Sequence, residues 1–100
     1  MTTSASHGIH LFVSGRVQGV GFRQFLRKSA QAHHVAGWAR NLRDGRVEAV
    51  LIGPAEAVQA VLDLARRGPR GARVDEVKTR DALEEELIAA ARPMIVLEQP

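Results

Sequence analysis

The chain contains no cysteine. Disulfides, thiolate nucleophiles and cysteine-ligated zinc are therefore excluded together. Aromatic residues are scarce, at 4% of 100 residues, with one Trp, three Phe and no Tyr. A base-stacking surface has little to be built from. No stretch approaches the ~20 apolar residues of a membrane-spanning helix. Met1 to Gly8 lack the basic start and apolar run of a secretory signal. What the chain does have is 45% hydrophobic and 25% charged residues, the balance of a protein folded in water. Its length suits one domain. Residues 1–8 read as a flexible tail and residues 9–100 as a single domain. The formal net charge of +3 attracts anions in general, phosphates and nucleic acids alike. A cytoplasmic, monomeric protein with no membrane partner is expected.

The apolar pattern changes period along the chain. Ile9 to Ser14 is a short apolar run, read as a first strand. A glycine-punctuated loop, Gly15 to Gly21, follows. Phe22, Phe25, Leu26, Ser29, Ala30 and His33 recur at helical spacing, so a helix is expected over Phe22 to His33. Val35 to Leu42 and Arg46 to Ile52 read as two strands around Arg43-Asp44-Gly45, since an Asp-Gly pair between extended runs signals a hairpin. Gly53-Pro54 stops the third strand and starts a second helix, with Val58, Val61, Leu62 and Ala65 as its buried stripe and Gly68-Pro69 as its end. Ala72 to Thr79 reads as a fourth strand. Pro93 to Leu97 reads as a short fifth, suited to a sheet edge by its proline. This order predicts an α+β, ferredoxin-like two-layer sandwich, βαββαβ plus a short C-terminal strand, with a mainly antiparallel sheet ordered 4-1-3-2.

Two segments carry the candidate chemistry. The loop Gly15-Arg16-Val17-Gln18-Gly19-Val20-Gly21 joins a strand to a helix. Glycines let its backbone approach a ligand, and the helix start offers unpaired N–H groups and partial positive charge. Together these suit phosphate. Arg23, in the first helical turn, can hold two phosphate oxygens with its planar guanidinium. Many strand–helix turns contain glycines and bind nothing, and a single arginine is more often a solvated surface residue, so the loop by itself leaves both readings open. The second segment is Gly37-Trp38-Ala39-Arg40-Asn41-Leu42-Arg43-Asp44-Gly45. The neutral amide of Asn41 can accept from a water and donate to an oxyanion. It could equally satisfy local backbone before the hairpin. The topology ends strands one and two at the same edge of the sheet, which places Arg23 and Asn41 near each other.

Gly15-Arg16-Val17-Gln18-Gly19-Val20-Gly21-Phe22-Arg23 resembles the first signature of the acylphosphatase family, and Gly37 to Gly45 resembles the second. Both agree in residue type, order and separation, and the resemblance extends over about Ile9 to Val77. It implies an acylphosphatase: an enzyme that hydrolyses carboxyl-phosphate anhydrides to a carboxylate and inorganic phosphate by direct in-line attack of water. It implies no metal, no cofactor and no covalent intermediate. Arg23 would be the phosphate-binding arginine and Asn41 the water-positioning residue. The backbone of Arg16, Val17, Gln18, Gly19, Val20 and Gly21 would wrap the phosphate. A second reading within hydrolysis is a module acting on carbamoyl phosphate, as in larger maturation enzymes; the short chain favours a free-standing enzyme.

Other features point less far. His7, His10, His33 and His34 read as surface and helix-end histidines; without cysteines or clustered carboxylates nearby, no metal site is expected. Trp38 reads as core or sheet-covering packing in preference to a groove lining. Arg66, Arg67, Arg70 and Arg73 suit a solvated helix end. A nucleic-acid-binding module would need exposed aromatics on the sheet, for which Phe12 and Trp38 are the candidates on the first three strands; none is expected to be bound. Arg80 to Arg92 departs from the family pattern: Leu83, Leu87, Ile88 and Ala91 fall at helical spacing, with Glu84, Glu85 and Glu86 expected to be exposed.

Overall fold

The computed structural model describes residues 6–88 and 95–96. The elements run β1 (Ser6–Arg16), α1 (Phe22–Ala32), β2 (Ala36–Asn41), β3 (Val47–Pro54), α2 (Ala55–Arg67), β4 (Arg73–Asp81), α3 (Glu84–Ile88) and β5 (Ile95–Val96). One sheet holds all five strands in the order β4-β1-β3-β2-β5. The β1–β3, β1–β4 and β2–β3 pairs are antiparallel, and β5 adds to β2 in parallel. This is the ferredoxin-like arrangement expected from the element order.

Alternation along the strands sorts side chains between two faces. Leu11, Val13, Ala39, Val47, Ala49 and Leu51 turn to the helices, where they meet Phe22, Leu26 and Ala30 of α1 and Val58, Val61, Leu62 and Ala65 of α2. The helical residues recur three or four apart, which places each set on one side of its helix. Fully burying a Leu, Val or Phe side chain contributes about 1.5–3 kcal/mol, so this layer dominates the stability. Helix α1 ends with His34 in the left-handed region (φ 57). There Val35 N–H donates to Ala30 O at 2.7 Å and His34 N–H to Gln31 O at 3.2 Å, a pairing that satisfies the last carbonyls.

Several expectations are corrected. β1 begins at Ser6, because Ser6, His7 and Gly8 pair with Pro54, Gly53 and Ile52. The tail expected over residues 1–8 therefore loses its last three residues to the sheet, and residues 1–5 lie outside the described ones. Pro54 caps α2 and is not its first helical residue. Of the fifth strand expected over Pro93 to Leu97, Ile95 and Val96 are described, at the β2 edge.

The sheet face away from α1 and α2 differs most from expectation. His10, expected at the surface, is fully buried there, and Trp38 is 6% exposed. The short helix α3 lies near this face, with Ala82 N–H donating to Gly8 O at 3.0 Å. Glu84 and Glu85 are exposed as expected, but Glu86 and the leucines are not placed as their spacing suggests. Leu83 and Leu87 are 50% and 38% exposed, while Glu86 turns inward. Glu86 accepts from Arg80 through both oxygens, at 2.9 and 2.8 Å, and from Leu83 N–H at 2.7 Å. A glutamate reaching back to the N–H that precedes its helix is half of a capping box. This outweighs the apolar spacing in so short a helix. Residues 89–92, part of the same expected helix, lie outside the described ones.

Candidate active site

The position of the site follows from strand register. Val13 of β1 and Asn41 of β2 both pair with Val47 of β3, so the pairing of β1 and of β2 with β3 stops at the same level on either side of it. Directly paired residues share a face, and Val47 belongs to the helix-side core. Asn41 therefore rises on the helix side, at the end of the sheet where the chain leaves β1 and enters α1.

The connecting loop is anchored by Val17, which is buried, and by Val20, which packs against the core. Gly21 is the residue before α1, with φ 76 and ψ 22. That left-handed conformation, open to glycine at little cost, turns the loop into the helix. No side chain caps α1 and no acidic residue lies in its first turn. Its leading N–H groups and the positive end of its dipole are thus available to an anion.

Val17, Gly19 and Gly21 from the loop, Phe22, Arg23 and Gln24 from α1, and Asn41 from β2 line one cavity of about 110 Å³. Gly19, Gly21 and Gln24 are exposed, whereas Arg23 and Asn41 are half-buried. Asn41 Oδ1 is itself buried and has no hydrogen-bond partner among the described residues. An unsatisfied buried acceptor costs about 1–3 kcal/mol, and such an atom at a cavity wall is a natural partner for a water or ligand donor.

Of the residues expected at the site, Val17, Gly19, Gly21, Arg23 and Asn41 meet at this cavity. Arg16, Gln18 and Val20 do not line it. Arg16 is exposed and ends β1 opposite Arg73. Gln18 turns to the β2–β3 hairpin, where its Nε2 donates to Leu42 O at 2.7 Å and Arg46 O at 3.0 Å. Phe22 and Gln24 were not singled out from the sequence, although their place in the first helical turn beside Arg23 is the signal that could have found them. Gln24 Oε1 accepts from Arg27 Nε at 2.7 Å. The hairpin itself is held by Asp44, whose oxygens accept from Arg46 N–H at 3.1 Å and Arg46 Nε at 2.8 Å. The backbone hydrogen bond from Arg46, foremost, lowers the Asp44 carboxyl below its ordinary value.

A separate polar cluster lies on the opposite sheet face. His10, Glu48 and Glu86 bring one potential ligand atom each within 4.8 Å of the others. Arg40 Nε donates to Glu48 at 2.6 Å, and Arg80 holds Glu86. The carboxylates are already neutralised by guanidinium groups, so the cluster reads as a hydrogen-bonded network. Trp38 also belongs to this face, with the Arg40 guanidinium 5.4 Å from its ring centre, while Arg46 stands 4.4 Å over Phe12. The two aromatics considered for base stacking are thus one buried and one covered by an arginine.

The sequence model of the acylphosphatase family matches residues 9–89. The chain is 51% identical over 78 residues to the acylphosphatase of Gloeobacter violaceus, covering 78% of this chain and 84% of the relative. It is 43% identical over 88 residues to that of Azorhizobium caulinodans, covering 88% and 87%. The structure of an acylphosphatase from Coxiella burnetii superposes with a TM-score of 0.84 at 32% identity, over 97% of this chain and all of that one. With the matching segments running through both the loop before α1 and the hairpin after β2, the chain belongs to the acylphosphatase family.

Proposed function

We propose that this acylphosphatase binds the phosphoryl group of an acyl phosphate between the start of α1 and Arg23, and that Asn41 places the attacking water. The guanidinium of Arg23 and the leading N–H groups of α1 neutralise charge on the three non-bridging oxygens. Phosphoryl transfer asks mainly for such positioning and charge stabilisation. Asn41 accepts a hydrogen bond from the water through Oδ1 and holds its oxygen in line with the bridging P–O bond. The water oxygen bonds to phosphorus as that bond breaks, and the bond's electron pair leaves with the carboxylate. One water proton remains on the phosphate and the other passes to solvent. A carboxylate leaves readily, so neither a strong general acid nor a metal is required. The cavity is small beside the ~300–1,000 Å³ of drug-sized sites, which fits recognition of the phosphoryl group with the acyl group outside. A place in the cytoplasm suits the chain's lack of cysteine.

The observation that carries this reading is the meeting of Arg23, the uncapped start of α1 and the unpaired Asn41 Oδ1 at one cavity. Hydrolysis of a simple acyl phosphate in ¹⁸O-water, with chelator present, tests it. Label is expected in the inorganic phosphate. Label in the carboxylate would mean attack at carbon, and activity abolished by chelator would mean a metal-dependent route; either overturns the mechanism.

A further inference from the structure

We infer that Gln18 is a positioning residue for this hydrolysis: its side-chain amide clamps the phosphate loop to the hairpin carrying Asn41 and so sets the distance between phosphorus and water. The inference rests on the role proposed above for Asn41.

The loop and the hairpin come from separate parts of the fold. β1 and β2 do not pair with each other; each pairs with β3. Gln18 crosses between them. Its Nε2 donates to Leu42 O at 2.7 Å and to Arg46 O at 3.0 Å, using both protons of the amide nitrogen. Leu42 directly follows Asn41, and Leu42 and Arg46 bracket the turn, with Leu42 N–H donating to Arg46 O at 2.8 Å. Gln18 thus grips the hairpin one residue beyond the water-holding side chain.

The backbone partners separate this role from plain stabilisation. Leu42 O also accepts from Gly45 N–H at 3.2 Å, and Arg46 O keeps the bond from Leu42 N–H. Removing the amide of Gln18 therefore leaves both carbonyls with a donor and the hairpin with its own bonds. What is lost is the connection between loop and hairpin. A misplacement of ~1 Å between reacting groups can cost about 100-fold in rate, so the effect belongs in kcat.

The test is a steady-state comparison of Gln18→Met, Asn41→Ala and the double variant, with inhibition by inorganic phosphate measured for each. Gln18→Met is expected to lower kcat by about tenfold or more while phosphate inhibition changes by less than about threefold. In the Asn41→Ala background, where no water-holding group remains to be positioned, Gln18→Met is expected to add little, the non-additivity of residues acting together. Gln18→Met at native kcat, an equal loss of phosphate inhibition, or a full effect in the Asn41→Ala background overturns the inference and leaves the reading of Asn41 standing. Asn41→Ala at native rate removes that reading and this inference with it. Gln18→Glu supplies a second measurement. Its carboxylate faces two carbonyl oxygens, so activity should recover as pH falls and protonation restores a donor. A pH profile matching the native one counts against the clamp.

Discussion

His10 Nε2 donates to Glu48 Oε2 at 2.7 Å, a buried hydrogen bond that ties β1 to β3 on the sheet face away from α1 and α2. The second Glu48 oxygen accepts from Arg40 Nε at 2.6 Å, so one carboxylate serves two neighbouring strands. Replacing Glu48 by Ala leaves His10 buried without that acceptor. Leaving a buried polar group without its hydrogen-bond partner costs about 1–3 kcal/mol. Glu48→Ala should lower the urea midpoint accordingly, while the folded variant keeps near-native kcat. An unchanged midpoint would show that the network contributes nothing.

Arg23→Ala and Asn41→Ala should each reduce activity by at least ~100-fold, as expected for loss of one preorganised electrostatic group. The two should differ in ground-state binding. Arg23→Ala should lose most of the thermal stabilisation that inorganic phosphate confers on the native protein, since a ligand stabilises the fold only at concentrations near or above its Kd. Asn41→Ala should keep it. Melting curves with and without phosphate check the distinction, and a folded Asn41→Ala variant with near-native rate removes the water assignment.

The carboxyl of Glu86 is held down at about 2 from an ordinary 4.5, chiefly by its hydrogen bonds to Arg80. A carboxylate whose folded value is depressed stabilises the fold above its unfolded value and loses that contribution as pH falls through the folded one. Between about pH 4.5 and pH 2 the native protein should therefore lose stability more steeply than Glu86→Gln. At neutral pH the same variant should melt a few degrees lower, roughly the effect of one partly exposed ion pair. Parallel acid-unfolding curves for the two proteins would contradict this.

Gly37 and Gly21 both have positive φ, at +142 and +76, but differ in surroundings. A Cβ on Gly37 would run into the backbone carbonyl of Val50, whereas one on Gly21 meets nothing within 4 Å. Gly37→Ala should therefore cost more than the ~1–3 kcal/mol of backbone strain alone. Gly21→Asn should be tolerated, because asparagine enters the left-handed region. Thermal melts of the two variants rank them, and equal losses would sink the steric argument.

The elements and their order are legible in the residues, because each carries its own period: Val47, Ala49 and Leu51 alternate along a strand, and Val58, Val61, Leu62 and Ala65 recur along a helix. The sequence also points to Arg23 and Asn41, since two separate motifs name them. What crosses between elements is set by the assembled fold. His10 and Glu48 are 38 residues apart, and Gln18 and Leu42 are 24 apart. No local period relates such pairs; strand register and loop path bring them together. The burial of His10, the inward turn of Glu86 and the reach of the Gln18 side chain to the hairpin all depend on contacts that exist only once the sheet has assembled.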